Sequence, residues 1–157
     1  MYEHERIVDR ELLLKQMRIF AEDSKHYLSL LSNTTALLKQ YYPQANWIGF
    51  YFRIDDYLYL GPFQGNSACQ YLSLDQGVCG KAVREEKTQI VKDVHELPYH
   101  VACDADSRSE IVIPIIKNDK VWGVLDLDAP TLAYFDEDDR DMLEELITIL
   151  KPYLTEL

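Results

Sequence analysis

Two runs dense in aromatic and branched residues, each turned back through a pair of turn-forming residues, constrain this chain more than any other feature. Trp47 to Ile54 is followed by Asp55-Asp56 and the renewed run Tyr57 to Leu60. Ile111 to Lys117 is followed by Asn118-Asp119 and the run Val121 to Asp128. Strand-forming runs punctuated this way fold back as antiparallel hairpins. Around them the periodicity changes to three and four residues, with Ile7, Leu14 and Met17 in a helix over about 3–21 and Leu28, Leu31 and Leu38 in a second over about 24–42 that Pro43 ends. A last helix starts at Asp136, a good N-cap followed by acids at 137, 138 and 139 where the helix dipole favours them. Hairpins flanked by helices predict an α+β fold, a central antiparallel sheet with the N- and C-terminal helices packed on one face.

Between the hairpins lie a polar, glycine-rich stretch, Gly61 to Gln70, and the segment Gln76-Gly77-Val78-Cys79-Gly80 leading into a short helix through about Glu86. A brief strand, Gln89 to Val91, precedes an aperiodic stretch from Lys92 to Ser109, a loop length that in compact domains is usually functional or disordered. No repeat or linker divides the chain, so 1–157 reads as a single domain: helices over 1–43, sheet and loops over 46–135, a closing helix over 136–155. Sixteen basic against 27 acidic residues leave a net charge of −11. That charge opposes nucleic acid and anionic lipid as partners. The apolar run Ile111 to Ile116 is far short of the ~20 residues a membrane-spanning helix needs, and the N-terminus does not resemble a signal peptide. A cytoplasmic protein is expected.

Strand alternation puts Ile48, Phe50, Phe52 and Ile54 on a core face and Trp47, Gly49, Tyr51 and Arg53 on the other. Two large rings with a glycine between them suit a pocket wall, or simply a half-exposed aromatic face. Asp126 and Asp128 share a strand face about 7 Å apart. Strands disfavour Asp and burying its charge is costly, so the pair suggests a pocket acid with a raised pKa beside a cation-holding carboxylate, although Asp128 before Ala129-Pro130 would also suit a turn. Glu110 opens the neighbouring strand and adds a third acid. Cysteines number three, an odd count without a Cys-x-x-Cys pair, which fits thiol chemistry or inert burial better than a disulfide framework or zinc. Cys79 at a helix start has the most depressed thiol on local physics and is the first candidate nucleophile. Cys103 lies three residues after His100, which allows a Cys–His hydrolase; His95, His100 and Cys103 together allow a metal site that lacks an evident fourth ligand. Cys69 sits in the other loop. His4 and His26 read as surface or cap residues.

In NWIGFY (46–51), LGPFQGNSAC (60–69), GVCGKA (77–82), DVHELPYHVACD (93–104), SRSEIVIPI (107–115) and GVLDLDAP (123–130) the chain resembles the free methionine-(R)-sulfoxide reductases, a family built on a single GAF domain. The resemblance spans about 46–135. It implies a GAF fold in which Cys103 attacks the sulfoxide sulfur, Cys69 is the principal resolving cysteine and Cys79 assists or relays. It implies further that Glu110, Asp126 and Asp128 line the substrate site and that Trp47 and Tyr51 form its aromatic wall. The substrate it implies is free methionine-(R)-sulfoxide and the reductant thioredoxin, with no metal or organic cofactor; a homodimer through the N-terminal helices stays open. Asn66-Ser67 and Gln76 depart from the usual Lys-Pro and basic residue, flanking cysteines without replacing them. Two other functions fit a GAF domain: a regulatory module that binds a small ligand, and a thiol redox sensor that signals through a Cys69–Cys103 disulfide. Multiple turnovers separate an enzyme from both.

Overall fold

The computed structural model of the chain describes residues 9–98, 103, 105–155 and 157. Its helices are α1 (Arg10–Asp23), α2 (Tyr27–Tyr41), α3 (Gly77–Glu85) and α4 (Glu137–Leu150). The strands are β1 (Trp47–Ile54), β2 (Tyr57–Gly65), β3 (Tyr71–Ser73), β4 (Gln89–Val91), β5 (Ser109–Lys117) and β6 (Lys120–Ala129). They form one sheet in the order β3-β2-β1-β6-β5-β4, and every neighbouring pair is antiparallel. Both expected hairpins are present, turning at residues with positive φ: Asp55 in the first, Asn118 and Asp119 in the second.

Alternation along these strands divides the sheet into two unlike faces. Ile48 and Phe50 of β1, Ile111, Ile113 and Ile115 of β5, and Leu125 and Leu127 of β6 point to one side, where they meet the buried stripes of α1, α2 and α4. α4 is held at its start by a capping box between Asp136 and Asp139, and the Tyr42 hydroxyl donates to Asp139 Oδ1 at 2.7 Å, which ties the end of α2 to the start of α4. α3 covers the opposite face, packing Val78, Ala82 and Val83 on Val112, Val124 and Tyr51.

Several boundaries differ from the sequence reading. β2 runs on through Gly61 to Gly65 because it stays paired with β1 as far as Trp47↔Gly65, and the short β3 then adds to its edge. Among its described residues, the long stretch after β4 holds a helical turn at Val94–Glu96, capped by the Asp93 side chain. α4 ends at Leu150 and gives way to a tighter turn, Lys151–Tyr153, with Pro152 at its start. His26 is the N-cap of α2 and accepts from the Leu28 amide, the cap role expected. His4 and Ile7 lie outside the described residues. Among the described residues, no helix is long and apolar enough to cross a membrane.

Candidate active site

The site is a consequence of register. β6 pairs with β1 so that Trp47 faces Asp128 and Gly49 faces Asp126, and with β5 so that Glu110 faces Asp128 and Val112 faces Asp126. Residues directly opposite share a face, so the three acids, Trp47 and Tyr51 all point to the α3 side. A bulge makes this work. Near the hairpin tip Ile116 pairs with Val121, yet after the shift between Ile115 and Ile116 the pairing is Ile115↔Gly123 and onward to Glu110↔Asp128. Without that extra residue Glu110 would lie opposite Leu127, and its carboxyl would belong to the other face. Gly123 stands at the shift, where a Cβ would sit 2.3 Å from the Tyr51 carbonyl oxygen.

Glu110, Asp126 and Asp128 are all buried, at 6%, 6% and 8% exposure. Burial pushes the Glu110 carboxyl well above the usual range, and the neighbouring Asp126 and Asp128 push it further. Asp126 rises from 3.8 to about 6, driven by burial and held back by hydrogen bonds from Glu110 and Cys79. Near neutral pH the cluster thus keeps a proton on Glu110 that it shares with Asp126. Asp126 Oδ1 is buried and has no hydrogen-bond partner among the described residues. No Lys, Arg or His is among the described residues that line the pocket, so none of those residues offsets the acids.

Cys79 corrects an expectation. It does lie in the first turn of α3, but its thiol is pushed well above the ordinary value, by burial first and then by Asp126, Glu110 and Asp128. A helix terminus supplies only about 0.3–1 kcal/mol to a charge beside it. Desolvation and three carboxyls outweigh that, so Cys79 is a protonated thiol and not a poised nucleophile. Cys103 and Cys69 are half-buried and joined as a disulfide with Cα atoms 5.5 Å apart. Cys103 lines the same pocket as Cys79 and the three acids.

The aromatic wall is present, though Gly49 serves it differently from the sequence reading. The space over Gly49 is filled by the Trp47 indole itself: a Cβ there would lie 2.5 Å from both that ring and Phe63. Trp47 therefore lies flat, stacked on Phe63 at 5.4 Å and on Tyr51 at 5.8 Å. The Trp47 indole N–H donates to the Asn66 carbonyl at 3.2 Å and the Tyr51 hydroxyl to the Cys69 carbonyl at 2.8 Å. Both rings thus hold the loop that carries Cys69. With Ala68, Leu72, Gln76, Val78 and Ser107 they line a pocket open to solvent.

Ala68, Leu72, Ser107 and the stacked Phe63 were not singled out by the sequence reading. Gly123 inside a strand pattern was the available signal for the bulge that assembles the acids. His95 is exposed and His100 lies outside the described residues. The His95, His100 and Cys103 metal group and the Cys103–His100 pair therefore rest on a residue the structure does not describe.

The GAF domain family matches residues 25–151. The free methionine-R-sulfoxide reductase of Escherichia coli K12 is 43% identical over 128 residues, which are 82% of this chain and 78% of that protein. The chain belongs to the free methionine-(R)-sulfoxide reductase family. Membership makes it a GAF-domain oxidoreductase. Among solved structures, fRMsr of Staphylococcus aureus in its reduced form is 47% identical with a TM-score of 0.89, covering 94% of this chain and 96% of that one. The Neisseria meningitidis free methionine-R-sulfoxide reductase, solved in complex with its substrate, is 40% identical with a TM-score of 0.89 over 92% of this chain and 87% of that one. The reductase family's fold is thus matched over nearly the whole described chain.

Proposed function

We propose that this chain reduces free methionine-(R)-sulfoxide to methionine with Cys103 as the nucleophile. The observation that carries the reading is a disulfide, Cys69–Cys103, at a pocket that also holds three buried acids. In the reduced enzyme the Cys103 sulfur attacks the sulfoxide sulfur. The oxygen is a poor leaving group until protonated, and Glu110, which keeps its proton, is suited to supply it through or beside Asp126. The bond between the substrate sulfur and its oxygen breaks, the oxygen is left on the Cys103 sulfur as a sulfenic acid, and methionine departs with its sulfur as a thioether. Cys69 then attacks that sulfur, water leaves, and the disulfide forms before a second oxidation can occur. An external dithiol, for which we propose thioredoxin, returns both cysteines to thiols by exchange. The net change is one sulfoxide and one dithiol converted to one thioether, one disulfide and one water.

Selection for a free amino acid follows from the same charges. An α-ammonium entering the pocket meets carboxyls that no cationic side chain among the described lining residues neutralises, and the stacked Trp47 and Tyr51 rings offer an apolar side to the thioether chain. Cys79, buried against the acids, is suited to relay the disulfide inward. We further propose that the chain works as one catalytic domain, in the cytoplasm where thioredoxin is kept reduced, and that any self-association runs through its N-terminal helices.

The test is NADPH consumption coupled through thioredoxin and thioredoxin reductase. Free L-methionine-(R)-sulfoxide is compared with its (S) epimer and a peptide-bound sulfoxide. Turnover confined to the free (R) epimer is expected. The same disulfide would also serve a redox sensor, which oxidises once; stoichiometric oxidation without multiple turnover would replace the enzyme with that sensor.

A further inference from the structure

Cys79, Glu110 and Asp126 each offer one ligand atom, and the three atoms lie within 4.8 Å of one another. They come from three different elements, α3, β5 and β6, so this is a converging set and not a run of acids along one surface. All three side chains are buried. Two further observations point to a cation. Asp126 is only 6% exposed and, although Glu110 and Cys79 hydrogen-bond to its carboxyl, its Oδ1 has no partner among the described residues; the described residues lining the pocket include no Lys, Arg or His to neutralise the group.

We propose that Cys79, Glu110 and Asp126 form a binding site for a zinc-like divalent cation. A thiolate with two carboxylates selects a borderline-soft ion over magnesium or calcium, which take oxygen ligands alone. Zinc holds donors at about 2.0–2.3 Å, hence nearly 4 Å or less from one another, so small inward side-chain rotations close the set. Three protein ligands leave the fourth position to water from the pocket. Binding releases the Cys79 thiol proton and whatever proton the two carboxyls share. No redox change is involved. The ion sits where the pocket's own ligand would be held; that it then stops turnover rests on the reductase reading, whereas the site itself does not.

The experiment uses the complete chain in its disulfide form, where Cys79 is the free cysteine. Cobalt(II) is titrated in and the near-ultraviolet thiolate-to-cobalt charge-transfer band is followed, after which zinc(II) is added to displace it. One cobalt per chain is expected, with a band that Cys79→Ser removes and an affinity that Glu110→Gln and Asp126→Asn each weaken more than about tenfold, the loss that even an outer-shell partner can produce. No band at saturating cobalt in the wild-type protein would overturn the proposal, as would a band that persists in Cys79→Ser. Should Cys79→Ser not fold, unchanged affinity in both carboxamide variants would overturn it equally. The titration contains no sulfoxide, so an inactive reductase with an intact cobalt site refutes the proposed function alone, and an active one without the site refutes this inference alone.

Discussion

The two faces of the sheet are made by alternate residues of the same strands, and they obey opposite rules. On the face covered by α1, α2 and α4, Ile48, Phe50, Ile113 and Leu125 are at most 1% exposed, all apolar and packed on those three helices. The alternate positions of β5 and β6 bury Glu110, Asp126 and Asp128 on the other face, with Cys79 packed there too. The first face minimises free energy by removing apolar surface from water. The second holds groups whose ordinary charge states are unfavourable there, and its carboxyls respond by keeping protons. Stability resides mainly on one side of the sheet and chemistry on the other, with the backbone between them shared.

Changes on the two faces should therefore separate cleanly. The largest effect expected on chemistry is that of Cys103→Ser, which should lower turnover more than about a thousandfold and leave the reduced protein's melting temperature close to wild type. Methionine formation in a single-turnover assay checks this without depending on thioredoxin. Undiminished methionine formation would move the nucleophile elsewhere in the pocket.

On the opposite face, Phe50→Ala deletes a fully buried ring and should cost about 3–5 kcal/mol of stability. Urea unfolding measures it. At a temperature where the variant is still folded, its kcat should stay within about twofold of wild type, since the Phe50 ring belongs to the core on the other face from Trp47, Tyr51 and Cys79. A loss of kcat out of proportion to the folded fraction would show that the two faces are coupled.

Asp126→Asn should cut turnover about a hundredfold, within the range a positioned acid or base supplies, while stability at pH 7 stays equal or rises. The sign follows from linkage. Asp126 titrates near 6 in the folded chain against 3.8 as a free group, so between those values the folded state binds more protons than the unfolded one. Its contribution is most favourable below about pH 4 and is lost as pH rises through 6. Glu110, also raised, extends the loss upward. Subtracting the variant's stability from wild type across pH 3–8 should give a curve that falls with rising pH. A curve that rises instead would mean that Asp126 is a structural carboxylate stabilised by partners in its charged form.

How much of this was legible in the sequence differs between the faces as well. The apolar stripe of β1 and the helical periodicities of α1, α2 and α4 are local patterns, and local patterns can be read directly. That Asp126 and Asp128 share a face follows from the same rule. Glu110 is another matter, because its side depends on one extra residue near Ile115 and Gly123, and register is a pairwise property that no single strand encodes. Cys79 shows the opposite failure. Its helix-start position is legible and suggests an acidic thiol, yet the carboxyls that reverse this arrive from β5 and β6. The residues alone already offer Glu110 as a third acid and Cys103 three residues after His100; what the family motifs add is the preference for Cys103 over Cys79 as nucleophile.

The smallest effect expected tests where the faces end and the reducible loop begins. Tyr51 stands on the chemical face, but its hydroxyl donates to the Cys69 carbonyl, so its polar end serves the loop and its ring the pocket wall. Tyr51→Phe keeps the ring and its stacking on Trp47 and removes only that hydrogen bond, at a cost of about 0.5–1.5 kcal/mol. If the bond holds Cys69 within reach of Cys103, the first methionine should form at the wild-type rate while disulfide formation slows several-fold, which rapid-quench thiol counting resolves. Slowing of both steps alike would assign the hydroxyl to the pocket, and the boundary between holding the substrate and closing the disulfide would then lie beyond Tyr51, toward Asn66 and the Trp47 indole that binds it.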